Sequence, residues 1–444
     1  MKTSVIKLSA LFLMLGGSMM FAQETQSMRE YLAPEKYNKN VFEDPKVAAP
    51  EYDGVKVTVG GDFAMQFQAL DHETDNTNLG MLTTDPSTPN RLRVMGSDFN
   101  LPTANLDVNA YLAKGVKLHL RTYLSARHHN EAWVKGGYIQ IDDLSFIKEG
   151  FAADLMQHAR VKIGMDDINY GDAHFRRTDN GKAITNPFVG NYIMDSFSTE
   201  AFGEVYGYHN NFMGMIGLSN GKLNQTAVKG TNDNAPSIYA KLAFDKQVQS
   251  DLRVRLSGSV IKTNGLSTGG YLYGGDRGGS RYYYVLLTEN DAMGASNYTT
   301  GRFNPGFKNM LAFQINPFIK YQGLEFFGLF EHVKGNKLVN ATTERDTDGA
   351  YTHLGAELLY RFGGKEQLYV GGRYNSVNGQ DWDGADERKI NRFNIGGGWY
   401  MTPNVLAKLE YVNQKYNTSN AWGATSALNG GQFNGVMFEA VIGF

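Results

Sequence analysis

The chain has 444 residues, with 51 Gly, 25 Tyr and 26 Phe against 11 Pro and no Cys, and a formal net charge of -2. The missing cysteines exclude disulfides, thiolate metal sites and an acylated lipoprotein anchor, and the near-neutral charge gives no sign of a nucleic-acid partner. The length admits two soluble domains or one large barrel, and glycine with aromatics suits strands crossing an aromatic-flanked interface better than helices, which glycine weakens.

Residues 1–22 open with Lys2 and Lys7, continue with an apolar core over 8–15, and pass through Gly16, Gly17 and Ser18 to Ala22. That is the pattern of a secretory signal peptide cleaved after Ala22. Its apolar run is shorter than the roughly 18 residues a spanning helix needs. Residues 23–53 are polar, carry Pro34, Pro45 and Pro50, and have no period. They read as an N-terminal periplasmic extension with room for one short helix.

The barrel is expected over residues 54–444. From Val55 the chain alternates: Val57, Val59, Phe63, Met65 and Phe67 on one face, Lys56, Thr58, Asp62, Gln66 and Gln68 on the other. Such a period-2 stretch is long enough to cross a bilayer, which takes about 9–11 tilted residues. Further stretches of the same kind cover 105–113, 116–125, 133–141, 160–165, 201–208, 213–219, 237–244 and 252–262. The series continues over 310–321, 324–332, 351–362, 368–375, 392–400, 405–414 and 436–444. The total is about sixteen, inside the even-numbered range of bacterial barrels.

Short links at 114–115, 210–211, 245–251, 322–323, 363–367 and 402–404 alternate with long polar loops at 71–100, 166–200, 220–236, 263–309, 333–350, 376–391 and 415–435. An insertion at 142–158, with room for a short helix, and a short loop at 127–132 are the exceptions. This sorting predicts a transmembrane antiparallel up-and-down β-barrel with short periplasmic turns and long external loops.

In a barrel the apolar row meets lipid and the polar row lines the interior. Lys117, Arg121, Arg160, Lys162, Lys241, Arg253, Arg255, Arg373 and Lys408 are then lumenal, with Asp62, Glu325, Glu331, Glu357, Glu410 and Glu439. Basic residues are modestly ahead. That surplus reads either as paired charges that keep the wall hydrated or as a weak anion preference. The stretch 164–200 is too long for a simple connection and carries Ile168, Tyr170, Phe175, Ile184, Phe188, Val189, Tyr192, Ile193 and Phe197. Folding inward would bury these and narrow the pore. Arg176, Arg177 and Lys182 would stand at the constriction, with Asp166, Asp167, Asp172 and Asp179 beside them. Tyr111, Tyr123, Tyr321, Trp399, Tyr400, Tyr411, Phe438 and Phe444 are expected as interfacial anchors, with a lumenal place for some as the alternative. The run 281–285, Arg-Tyr-Tyr-Tyr-Val, fits no girdle and reads as a short strand or a packed loop.

The last strand, Val436-Met-Phe-Glu-Ala-Val-Ile-Gly-Phe444, alternates and ends on an aromatic. It resembles the C-terminal signature of bacterial outer-membrane barrels, which implies outer-membrane lipid, lipopolysaccharide and the barrel assembly machinery as partners. Arg160-Val-Lys-Ile-Gly164, feeding a long loop, resembles the phosphate-selective porin type, whose corresponding strand ends in a similar basic, valine and glycine pattern. Where that family continues into a basic residue and a Pro-Phe-Gly turn, this chain has Met165-Asp-Asp-Ile-Asn-Tyr-Gly171, so only a channel function is carried over. The resemblance implies a passive channel for small polar or weakly anionic solutes, a homotrimer and no cofactor.

The rival readings are a barrel enzyme of protease or lipase type and a structural or adhesive barrel. An enzyme needs a hydroxyl, a histidine and a carboxylate to converge; His128, His129, His174, His209, His332 and His353 have no such spacing. Asp346-Thr-Asp348-Gly349 and Asp381-Trp-Asp383-Gly384 lack the downstream Glu of a calcium loop. A plugged transporter of about twenty-two strands does not fit this length.

Overall fold

The computed structural model describes residues 27–37, 39–125, 131–221, 236–264, 271–274, 283–292, 300–339 and 346–444. The expected signal peptide, His128, His129, Arg281 and Tyr282 lie outside the described residues. Sixteen strands form the wall: β1 Lys56–Thr74, β2 Thr103–Ala113, β3 Val116–Ser125, β4 Glu131–Ile141, β5 Ala159–Asp167, β6 Thr199–His209, β7 Phe212–Ser219 and β8 Ser237–Gln249. The second half is β9 Leu252–Asn264, β10 Asn309–Tyr321, β11 Leu324–Asn336, β12 Gly349–Phe362, β13 Leu368–Gln380, β14 Arg388–Thr402, β15 Val405–Tyr416 and β16 Gly431–Gly443. Each pairs antiparallel with the next, and β16 returns to β1 with Phe438 opposite Phe67. Phe444 completes the closure by exchanging backbone hydrogen bonds of 3.0 Å with Gly61. The two residues Asp98–Phe99 prolong β2 along β1.

The strands run beyond the expected stretches, mostly at the long-loop end, as in 324–332 against Leu324–Asn336 and 368–375 against Leu368–Gln380. Past the lipid the outward side chains need not be apolar. Ladder pairing therefore continues where alternation stops. For the same reason β5 reaches Asp167, with Asp166 opposite Glu200 and Asp167 opposite Thr199. These two carboxylates belong to the wall, and the long connection spans 168–198. The insertion at 142–158 holds a one-turn helix, Ala153–Met156.

Alternation sorts the side chains by face. Val57, Val59, Ile216, Leu242, Leu358 and Leu409 are exposed on the outside, while Lys117, Arg121, Lys241, Glu331, Glu357, Arg373, Glu410 and Glu439 are buried inside. Tyr321, Trp399, Tyr411, Phe438 and Phe444 face outward. Tyr111, Tyr123 and Tyr400 do not. Tyr111 and Tyr123 share parity with Asp107 and Arg121, and both are fully buried in the lumen. Tyr400 turns inward to donate to the Ile184 carbonyl at 3.3 Å. An exposed apolar belt on a closed wall is the outer-membrane form, in which every backbone polar group is satisfied without water.

Arginine at the lipid-facing Leu358 should lower stability by about 2–4 kcal/mol, the cost of a cation near the bilayer midplane. Urea unfolding in phospholipid vesicles measures it; an unchanged midpoint would mean that this face does not meet lipid.

Candidate functional site

The interior is organised around residues 168–198, which leave the wall after β5 and fold into the lumen. Gly171, at φ +69°, makes the first bend, and a Cβ there would collide with the Gln314 side chain. Ion pairs then pin the segment to opposite sides of the wall. Asp172 lies 2.7 Å from Lys241 Nζ and 2.8 Å from Arg255 Nε. Arg176 donates to Glu325 Oε1 at 2.6 Å and also to Glu357. Asp179 meets Lys135 Nζ at 2.8 Å and Arg121 Nη1 at 3.6 Å, and accepts from the Tyr123 hydroxyl.

The far half of the segment is held by its backbone. Lys408 Nζ donates to the carbonyls of Ala183, Asn186 and Phe188 at 2.9–3.1 Å. Arg373 donates to the Gly190 carbonyl at 2.7 Å, and Glu410 accepts from the Val189 amide at 2.7 Å. Phe188, Val189, Tyr192, Ile193 and Phe197 are buried. Burial alone would raise the Asp172 carboxyl, but Arg255 and Lys241 outweigh it and hold the group well below the usual carboxylate range. Burial would lower the Arg176 pKa, and Glu357 and Glu325 instead drive it above the usual guanidinium value. Buried charges are tolerated only when paired in this way.

Two further segments enter the lumen. Parts of the 265–308 connection lie over the long-loop side: Phe303 N donates to the Ile193 carbonyl and Phe197 N to the Leu272 carbonyl, both at 2.7 Å. Tyr273 donates to Glu331 at 2.8 Å and Tyr283 to Glu410 at 3.1 Å. The aromatic run is thus in part a packed loop. From the short-turn end come residues 27–53, residue 38 apart. A capping box between Ser27 and Glu30 starts a short α-helix, Met28–Leu32, and a 3-10 turn, Pro34–Lys36, follows it. Phe42 packs on Phe318 and Phe175 with ring centroids 5.3 and 5.9 Å away. Glu43 bridges Lys241 at 2.7 Å and Arg255 at 2.8 Å, and Asp44 meets Lys117 at 2.8 Å. Burial opposes the Glu43 charge, yet Arg255 and Lys241 hold its pKa at about 2.

Two spaces stay open around these segments. A cavity of about 120 Å³ lies between the inward segment and the β3–β6 wall, lined by Lys162, Lys182, His119, Asp166, Asp167 and Glu204. A second, of about 640 Å³, opens at the short-turn end beside Lys36, Lys39, Arg176, Arg361 and Tyr400. Phe42, Phe175 and Thr185 line both.

The expected residues divide by partner. Arg176, Arg177 and Asp172 are deep in the inward segment and each is ion-paired, Arg177 with Asp195 at 2.8 Å. Lys182, half-buried, faces the small cavity, as does Lys162, whose ammonium lies 4.7 Å from the Tyr138 ring centroid. Asp166 and Asp167 reach Lys135 at 3.2 and 3.8 Å. On the wall, Arg121 pairs with Asp107 at 2.7 Å, Arg160 with Asp142 at 2.8 Å, Arg253 with Asp245 at 2.7 Å and Arg373 with Glu357 at 2.7 Å. Lys117 and Arg255 are shared with the N-terminal segment.

Sequence reasoning missed Lys135, the hub for three aspartates. A β-bulge opposite Arg121 and Thr122 turns it inward beside the outward Val134, so simple parity misplaces it. It also missed Glu43 and Asp44, which sit in a stretch without period. Asp107 was legible, because it alternates with Asn105 and Asn109. His174 is bonded to Asp167 and Asn169, and His353 lies 3.8 Å from Glu331. Among the described residues no group of three His, Asp or Glu is disposed to hold a metal ion.

No protein-family model and no curated protein sequence matches the chain. Solved structures do. The outer membrane channel DcaP of Acinetobacter baumannii is 12% identical, over 90% of this chain and all of its own, with a TM-score of 0.51. OmpT, an outer membrane protein of Vibrio cholerae, in its trimer form is 11% identical, over 88% of this chain and all of its own, with a TM-score of 0.50. An anion-selective porin from Comamonas acidovorans is 12% identical, over 88% and 100%, at 0.49. The shared feature is the fold. The chain is an outer-membrane β-barrel of sixteen strands.

Replacing Glu357 by Ala leaves Arg373 without its carboxylate and Arg176 with only Glu325. The expected loss is about 3–5 kcal/mol, the cost of breaking a buried pair from one side. Guanidinium unfolding of the refolded barrel measures it; a loss below about 1 kcal/mol, the range of exposed pairs, would mean that this network is hydrated.

Proposed function

We propose that the protein is a porin-type channel that passes small polar solutes by diffusion through a lumen narrowed by residues 168–198. The observation that carries this reading is the polar, charged interior of a sixteen-stranded wall. A ring of this size encloses more space than its own side chains fill, and here the space is occupied by chain segments held through hydrophilic contacts. An inert barrel gains nothing from lining its core with ion pairs, since apolar packing would serve equally well or better. The reading also takes the protein as a non-enzyme and as a homotrimer, supported by the trimer form of the Vibrio cholerae fold neighbour. Membrane lipid and lipopolysaccharide would surround the belt, and the assembly machinery would read the strand ending at Phe444.

Charge selectivity in this reading belongs to the groups that face the cavity. Arg176, Arg177, Arg373 and Asp172 are neutralised by fixed partners, whereas Lys162 and Lys182 line the small cavity, across which stand Glu43 and Asp44. These two lysines would favour anions, against the pull of Asp166 and Asp167. Phosphate-type selectivity is not carried over from the Arg160–Gly164 pattern, because Asp166 and Asp167 stand where that family continues into a basic residue and a Pro-Phe-Gly turn.

Planar-bilayer recording under a salt gradient tests both parts. Discrete current steps are expected, with a reversal potential that moves toward cations in Lys162→Glu and Lys182→Glu. A folded barrel without steps would remove the channel reading. Steps with an unchanged potential would remove the two lysines from the path.

A further inference from the structure

Residues 27–53 add no strand to the barrel. The ring from β1 to β16 is hydrogen-bonded to closure without them. They nevertheless lie inside it, at the short-turn end. Their seating is carried by acids of the segment on cations of the wall: Glu43 on Lys241 and Arg255, Asp44 on Lys117. In the reverse sense, Lys36 meets Asp62 at 2.8 Å and Lys46 meets Asp142 at 3.1 Å.

Two wall cations reach the segment, one of them wholly and one in part. Lys117 Nζ, buried, donates to Asp44 and to the Tyr31 carbonyl, both of the segment. Arg160 keeps Asp142 on the wall but spends its Nη atoms on the carbonyls of Asp44 and Pro45 and on Tyr208. Asp172 remains with Lys241 and Arg255 in either case. Beneath the inward segment five wall cations, Lys117, Arg160, Lys162, Lys241 and Arg255, thus face three fixed carboxylates, Asp142, Asp172 and Asp245, and the adjacent carboxylates of Glu43 and Asp44 meet the surplus of this notch.

The segment joins the barrel through Gly54, with Tyr52 against the Tyr111 ring at 5.7 Å and Asp53 on Lys56 at 3.0 Å. Gly54 has φ +127°, a backbone state that side chains rarely adopt, and a Cβ there would meet nothing within 4 Å. Its neighbours Tyr52, Asp53 and Val55 are exposed.

We propose that residues 27–53 are a removable plug of the short-turn end, and that the notch formed by Lys117, Arg160, Lys162, Lys241 and Arg255 is a binding site for small carboxylates, occupied in the closed form by Glu43 and Asp44. This rests on the channel reading. Withdrawal takes Glu35, Val41 and Phe42 from between the two cavities, leaving Phe175 and Thr185 of the inward segment, and exposes the notch to solutes. A free carboxylate competes with the segment for the same cations.

The test uses the full chain in planar bilayers. The double variant Glu43→Gln with Asp44→Asn unseats the plug and should raise the current at least threefold over the native chain. A second pair, Phe42→Cys with Phe318→Cys, added to that variant, should return the current to the native level when oxidised and release it when reduced. The native chain has no other cysteine to interfere. Potassium succinate, against potassium chloride at equal ionic strength, should raise the current of the native chain by displacing the plug. It should lower that of the double variant by occupying the vacated notch. Equal currents in the native chain and the variant, unaffected by oxidation, would overturn the plug. Succinate indistinguishable from chloride in both forms would overturn the carboxylate site. A folded barrel that passes no current in any form would remove the channel reading itself, and the plug with it.

Discussion

Everything in this molecule depends on a wall that must satisfy its own backbone. Lipid offers no hydrogen-bond partner, so each strand pairs on both edges and the sheet closes on itself. Closure imposes a period of two. One row of side chains must be apolar toward lipid, and the other is released from that demand and faces inward. The lumen is polar as a consequence, and whatever enters it must bring complementary groups.

The segments that enter do so. The inward connection offers Asp172, Arg176 and Asp179 to wall charges of opposite sign, and then its own carbonyls and amides to Lys408, Arg373 and Glu410. The N-terminal segment offers Glu43 and Asp44. Each such pair is costly to break from one side and gives little net stability compared with apolar packing. Their value lies in placement. They fix a hydrophilic filling at set positions and leave gaps between it and the wall.

The wall was largely legible in the chain, because alternation over about ten residues at a time is a strong signal. All sixteen expected stretches are strands. The errors have local causes. Tyr111 and Tyr123 were weighed as girdle residues by their place at strand ends, although their parity with Asp107 and Arg121 already put them inside. Lys135 was lost to a bulge, which reverses parity by one residue. Asp166 and Asp167 were given to the loop because the ladder outlasts the apolar pattern. The partners of the candidate site were less accessible. Nothing local in residues 27–53 tells that Glu43 lies beside Lys241, since that contact spans the chain and needs the closed ring to exist.

The central claim is that residues 168–198 fill the lumen, pinned by the wall charges. Val189, buried and bonded through its amide to Glu410, reports on it directly. A single cysteine at Val189, in a chain otherwise free of cysteine, should resist a membrane-impermeant maleimide in the native barrel and react once the barrel is unfolded. A cysteine at the exposed Ser87 should react at once in both. Labelling of the Val189 cysteine as fast as that at Ser87 in the native barrel would place the segment outside the lumen and contradict the account.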